Sequence, residues 1–196
     1  VIRPQYNCIA RPGQSDQTIN KSRFIGVAAA CASEREVMAL LRKLATEHAQ
    51  AHHLVFAYRL QNTDGRGITQ RFHDAGEPSG TAGKPVLQHI EGRNLINTCV
   101  AVVHYYGGIN LGTGGLARAY GNAAKLALDA ATVVPFVEMQ QIRLVLDYAQ
   151  LDRFTHELGK LGGQLLDKQF GERVTVLAKL PADDAVELQR RYSEPY

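Results

Sequence analysis

Two glycine-rich loops, each running into a helical pattern and separated by one apolar run, occupy the chain from Asp74 to Gly121. The first reads D-A-G-E-P-S-G-T-A-G-K-P from Asp74. The second lies within V-A-V-V-H-Y-Y-G-G-I-N-L-G-T-G-G-L-A-R-A-Y-G from Val100, where Gly107, Gly108, Gly112, Gly114, Gly115 and Gly121 fall within fifteen positions. Glycine lets the backbone turn with positive φ and lets another group come close to the main chain. A helix that starts behind such a loop presents unpaired N–H groups and partial positive charge, a ready site for anions. No carboxylate occurs between Glu91 and Asp129, whereas Arg93, Arg118 and Lys125 do. The same glycines also suit a tight strand-to-helix turn chosen for packing alone.

Composition sets the bounds. A chain of 196 residues with 45% apolar content can bury one large core or two small ones. The net charge of +3 is too mild to mark a nucleic-acid binder by itself. Its distribution says more: residues 1–135 hold 14 Lys and Arg against 9 Asp and Glu, a balance of +5, and residues 136–196 hold 8 against 10, a balance of −2. A polyanion would prefer the first part. Cys8, Cys31 and Cys99 are odd in number and widely spaced, so they form neither a disulfide framework nor a zinc pattern. Cys31 and Cys99 sit in apolar runs and are expected in the core. No stretch reaches membrane-spanning length and no charged-then-apolar leader opens the chain, so a soluble cytoplasmic protein is expected.

Taken in order, residues 1–20 are polar, with Pro4 and Pro12, and suggest one short edge strand. A strand follows from Lys21 toward Cys31. Ser33 and Glu36 have capping-box spacing, and Val37, Leu40, Leu41 and Leu44 continue at helical spacing to about His48. His53–Leu60 and Ile68–His73 read as a hairpin around Asp64-Gly65. A helix is expected near Thr81, with Ala82, Val86, Leu87 and Ile90 inward. A strand covered on both faces is expected over Leu95–Tyr106. The helix from about Thr113 to Ala131 puts Arg118, Asn122, Lys125 and Asp129 on one face, and Leu116, Tyr120, Ala123, Ala127 and Ala131 on the other. Pro135 marks a boundary, giving domains over 1–134 and 135–196. Beyond it the order β-α-β-β-α suggests a ferredoxin-like α+β domain, whose final strand would lie past Tyr196.

Several motifs fail on inspection. Gly80-Thr-Ala-Gly-Lys84 resembles a P-loop, but Pro85 stands where the Mg²⁺-binding hydroxyl belongs and Pro78 where the first glycine belongs. His48 and His52 are four apart, but Ala49 replaces the glutamate a zinc protease needs, so they are expected to pack at a helix-to-strand corner. Asp74 and Glu77 could do acid–base work, but caps and local hydrogen bonds explain such a pair equally well. Ser79 and Thr81 lack a neighbouring histidine base, so neither reads as a nucleophile. Tyr105-Tyr106 could stack on a base or fill the core.

These residues together resemble the YigZ/IMPACT family. The likeness rests on K-S-R-F-I at Lys21–Ile25, the His48 and His52 pair before A-Y-R at Ala57–Arg59, G-E-P-S-G-T-A-G-K-P at Gly76–Pro85, and Y-G-G-I-N-L-G-T-G-G-L-A-R-A-Y-G at Tyr106–Gly121. The resemblance implies an α+β chain of two domains. The first would be an α/β sandwich like that of a small-subunit ribosomal protein and the GHMP kinases. The second would be ferredoxin-like, as in elongation factor G. It also implies a link to translation, since eukaryotic relatives bind the activator of an initiation-factor kinase. Three positions depart from the family pattern: His104 where bacterial members usually have Arg, Asn110 where they usually have Lys, and Ala75 where a second Asp is usual.

The leading expectation is a non-catalytic, translation-linked protein that contacts RNA or the ribosome. The contact set is Lys84, Arg93, His104, Tyr105, Gly107, Gly108, Gly112, Thr113, Gly114, Gly115 and Arg118. Asp74, Glu77, Ser79 and Thr81 are expected to structure the first loop, with Glu77 accepting amides of the second. No metal and no cofactor is expected. A phospho-ligand or nucleotide site on Gly107–Gly115 and a protein-binding module are the alternatives. The two loops are expected side by side, with Glu77, Thr81 and Lys84 facing Thr113 and Arg118.

Overall fold

The computed structural model describes residues 5–193. The chain forms two compact units, Val1–Phe136 and Val137–Tyr196. In the first, strands β1 (Asn7–Arg11), β2 (Gly13–Ile19) and β3 (Ser22–Ala30) precede helix α1 (Glu34–Glu47). Strands β4 (His53–Gln61) and β5 (Ile68–His73), helix α2 (Gly83–Gly92), strand β6 (Thr98–Tyr105), helix α3 (Gly112–Ala130) and strand β7 (Thr132–Pro135) follow. A five-stranded sheet has the order β2-β3-β6-β4-β5, every neighbouring pair antiparallel. One face carries α2 and α3 over Phe24, Val55, Ala57, Val100 and Val102. The other carries α1 over Tyr58, Leu60, Cys99 and Ala101. Strand β6 is buried along Thr98–His104, as its continuous apolar run requires when both faces are covered.

Sequence and structure part company at the edges. Residues 7–19 hold two strands rather than one, and the expectation touching Pro4 lies outside the described residues. Strand β2 reads Gly-Gln-Ser-Asp-Gln-Thr-Ile, too polar to signal a strand, because it lies at the sheet edge. It turns into β3 through Asn20 and Lys21, both at positive φ (47° and 66°), a two-residue hairpin turn of the kind the strand twist favours. Strand β7 pairs with β1 in a separate ribbon. Helix α2 begins at Gly83 rather than Thr81, and β6 at Thr98 rather than Leu95, with Leu95 and Ile96 buried in the connection. The Ser33 hydroxyl accepts the Glu36 N–H, but the Glu36 carboxylate reaches the amide of Ala32, one residue before the cap.

The second unit runs β8 (Met139–Leu146), a short 3₁₀ turn at Tyr148–Gln150, α4 (Leu151–Lys160), β9 (Gln164–Phe170), β10 (Val174–Pro181) and α5 (Ala182–Ser193). Its sheet order is β8-β10-β9, with β10 antiparallel to both neighbours. Alternate residues Ile142, Leu144, Leu146, Val174, Val176 and Ala178 bury against Phe154, Leu158 and Leu188 of the helices.

Candidate functional site

Strands β5 and β6 each pair antiparallel with β4, so they run in the same direction and end at the same end of the sheet. That topology brings the loop after β5 and the loop after β6 together. Beneath them lies a row of three cross-strand partners on β3, β6 and β4: Phe24 opposite His104, and His104 opposite His53. Their rings stack, with centroids 4.3 Å apart for Phe24 and His104 and 5.6 Å for His104 and His53. Tyr120, fully buried on α3, meets Phe24 and His104 edge-on.

Glu77 descends from the first loop onto this row. Its Oε1 accepts the Tyr120 hydroxyl at 2.7 Å and lies 2.6 Å from His104 Nδ1. His53 Nε2 is 3.7 Å from the same oxygen, and His53 Nδ1–H donates to the Ala75 carbonyl at 2.8 Å. Burial holds His104 below the ordinary imidazole value, against the opposing pull of Glu77. A neutral ring that gives Nδ1–H to a carboxylate carries its lone pair on Nε2, and that atom is buried without a hydrogen-bond partner. Burial, reinforced by Glu77, pushes the Tyr120 hydroxyl far above the ordinary phenol value. Glu77 therefore ties its loop to the sheet and to α3 through side chains, not through amides of the second loop.

Asp74 organises the start of α2. It accepts the amides of Gly80 at 3.0 Å, Gly83 at 2.8 Å and Ala82 at 3.3 Å. Partial burial pushes its carboxyl up, but these three donors overcome that and hold it below the ordinary carboxylate value. The anion-ready end of α2 is thus filled by the chain itself. Thr81 donates to the Pro78 carbonyl at 2.6 Å, while Ser79 is exposed and takes no part. Asp74→Asn is expected to destabilise the first unit by about 0.5–2 kcal/mol at neutral pH. Because the folded carboxyl is held low, this advantage is full above about pH 4 and narrows as pH falls through the folded value. Denaturant melts of both proteins between pH 7 and pH 3 check it.

The end of α3 differs. Its cap position is Leu111, which supplies no side-chain hydrogen bond, and its first turn holds no acidic residue. Gly112 is exposed at φ 71°, open on the side where a Cβ would stand. This end opens on a cleft of about 410 Å³, lined by His53, Glu77, Pro78 and His104 on one side and Tyr106, Ile109, Gly112 and Thr113 on the other. The loops do share one cavity, but Thr81, Lys84 and Arg118 are not in its lining. Arg118 faces a second groove between α2 and α3, with Gln88, His89, Asn122 and Lys125. Gly114 is an ordinary helical position whose added Cβ would meet only the mobile end of Arg118. Gly114→Ala is expected to raise stability by up to about 1 kcal/mol, read from a urea melt.

Three contact residues named from sequence are engaged with partners inside the first unit. His104 is 2% exposed and bound to Glu77, so it is no surface contact. Tyr105 is half-buried, with its hydroxyl 2.7 Å from His48 Nδ1. Arg93 pairs with Asp129, which also takes Lys125, so the carboxylate just past the acid-free stretch is shared by both cations and offsets one of their two charges. His52 Nδ1 accepts the Tyr106 amide at 3.0 Å, and the His48 and His52 pair indeed packs at the α1–β4 corner. His53 and Tyr120 were not identified as site residues. Their signals were present: His53 shares the inward face of β4 with Val55 and Ala57, and Tyr120 lies on the buried face of α3.

Fold and cleft define a mixed α/β chain of two domains, the larger of which builds a ligand-sized cavity from two glycine loops. The chain belongs to the IMPACT family: the Impact N-terminal domain matches residues 20–128, and a domain of unknown function, DUF1949, matches residues 144–191. It is 33% identical to the IMPACT family member YigZ of Escherichia coli (strain K12) over 185 residues, covering 94% of this chain and 90% of that one. It is 35% identical to the IMPACT family member YvyE of Bacillus subtilis (strain 168), covering 86% and 76%. A crystal structure described as that of an hypothetical protein superposes with a TM-score of 0.71 at 32% identity, covering 97% of this chain and 92% of that one. Among the described residues no helix is long and apolar enough to cross a membrane.

Proposed function

We propose that the chain is a non-catalytic, translation-linked binding protein whose first unit contacts RNA, free or on the ribosome. The observation that carries this reading is the uncapped start of α3 opening on a cleft with an exposed aromatic wall. Amides at Gly112 and Thr113 suit one backbone phosphate. Tyr106, 42% exposed, and Ile109, 43% exposed, suit an unstacked base beside it. Lys84 on α2 and Arg118 on α3 are exposed and form no ion pair among the described residues, leaving two cations for neighbouring phosphates. Two contacts predict a shallow salt dependence, a slope of about −1.4 in log affinity against log salt for a single strand. Fluorescence anisotropy with a single-stranded oligoribonucleotide at two salt concentrations tests it. Tyr106→Ala is expected to weaken binding about tenfold, within the range of one lost stack. Salt-insensitive binding, or none, contradicts the reading.

A second reading takes the same cleft for a free phosphorylated ligand, favoured by its volume of about 410 Å³ beside the Gly107–Gly115 loop. A nucleotide at a hundred times its dissociation constant would then add about 2.7 kcal/mol of stability. Thermal shift with a nucleotide panel separates the two readings. The β8-β10-β9 order with antiparallel neighbours supports reading the second unit as ferredoxin-like.

A further inference from the structure

Two imidazoles and a carboxylate converge at the floor of the cleft. Donor atoms of His53, Glu77 and His104 all lie within 4.8 Å of one another. We propose that these three side chains bind one divalent transition ion of the zinc class, with a further coordination position open to the cleft.

The donor set is two nitrogens and one oxygen, which suits borderline first-row ions rather than Mg²⁺ or Ca²⁺. Glu77 Oε1 stands 2.6 Å from His104 Nδ1 and 3.7 Å from His53 Nε2. Ligands about 2.0–2.1 Å from a tetrahedral zinc lie about 3.3 Å from each other. Of the three gaps between ligand atoms, the first must open and the second close, each by less than about 1 Å, and the two imidazole nitrogens, within 4.8 Å of each other, must close by up to about 1.5 Å through χ adjustments on the loop and two strands. The ion takes the place of the proton now shared between His104 and Glu77. That proton moves to His104 Nε2, the buried atom that has no partner, and the ring stays neutral.

The groups around His53 and Glu77, though not those around His104 Nε2, are already arranged as metal sites arrange them. A metal-bound histidine commonly gives its other ring N–H to a carbonyl, which fixes the tautomer and aims the lone pair at the ion. His53 does this through Nδ1–H to Ala75, leaving Nε2 toward Glu77. Tyr120 donates to Glu77 and fixes the carboxylate. The His53 side chain is 25% exposed and lines the cleft, which provides the access route. By contrast, His48 and His52 each have Nδ1 engaged at the α1–β4 corner, and no carboxylate joins them in a cluster among the described residues.

The test is a titration of chelator-stripped full chain with Co²⁺, followed by competition with Zn²⁺. The expected result is one equivalent bound, with visible absorption of a low-coordinate cobalt site that Zn²⁺ abolishes, and a metal-dependent rise in Tm. His53→Gln and His104→Arg should each weaken Co²⁺ binding at least about tenfold, whereas a His48→Gln, His52→Gln double variant should bind as the wild type does. Far-UV circular dichroism of the metal-free variants verifies that they are folded. No uptake by the wild type at millimolar Co²⁺ overturns the proposal, and so does uptake that survives either His53→Gln or His104→Arg. Neither outcome depends on RNA binding, so this site and the RNA reading stand or fall separately.

Discussion

Glu77→Ala is expected to cost the first unit about 2–6 kcal/mol. Glu77 lies in a loop, yet its side chain is only 7% exposed. Its single oxygen Oε1 serves both Tyr120 and His104. Alanine leaves two buried donors without an acceptor, each costing about 1–3 kcal/mol. The Tyr120 hydroxyl sits in the core and cannot turn to solvent. Glu77→Gln keeps an acceptor oxygen in place and should lose much less. Chemical denaturation of the full chain, followed by a probe in the first unit, reads both. A loss below about 1 kcal/mol for alanine would mean that water replaces the carboxylate, and the hub would not hold the loops.

Gly107→Ala is expected to destabilise the first unit by about 3 kcal/mol or more, the upper part of the range for overpacking. The Cβ it adds would fall 2.1 Å from the backbone carbon and oxygen of Lys21 and 2.6 Å from the Ser22 amide nitrogen. Backbone cannot swing aside as a long side chain can. Here the β6 exit presses on the β2–β3 turn, and the Gly107 amide donates to the Ser22 hydroxyl at 3.0 Å. The contrast with Gly114→Ala is the useful part. Two glycines seven positions apart in one loop-and-helix run should respond with opposite sign. A mild Gly107→Ala in the same melts would show that the turn shifts to accommodate it.

Much of this was legible in the chain. Period-2 and period-3.6 patterns marked β8, α1 and α3, because each buries one face of an amphipathic element against a single core, and the turn at Asp64-Gly65 marked the β4–β5 hairpin. Strand β2 was not legible, since an edge strand with an exposed outer face tolerates polar residues throughout. Strand β7 was hidden because its partner β1 lies at the other end of the unit and only pairing reveals it. The two glycine loops were visible, and so was their tendency to gather at one end. The reason they meet was not visible: they follow like-directed strands separated by β4, not adjacent parallel ones.

The chemistry of the cleft was the least legible part. His104 was placed in the surface contact set, at the position where the family usually has Arg. Strand register instead places it between Phe24 and His53 under a loop from another part of the chain. Asp74 and Glu77, three apart, looked like one carboxylate pair. They do separate jobs, one closing the end of α2 and the other joining three elements beneath the cleft. Linear spacing could not tell them apart, because the difference lies in residues brought from strands β4 and β6 and helix α3.

The proposed function puts the partner on the uncapped end of α3, with Arg118 of the groove beside it as a flanking phosphate contact. Amide-detected NMR of the full chain during titration with a single-stranded oligoribonucleotide addresses it most directly. Saturable shifts at the Tyr106 and Gly112–Gly115 amides, diminishing as salt rises, are the predicted result. Shifts confined to the groove at Arg118 and Lys125 or to the second unit, or no shifts at all, would contradict the account.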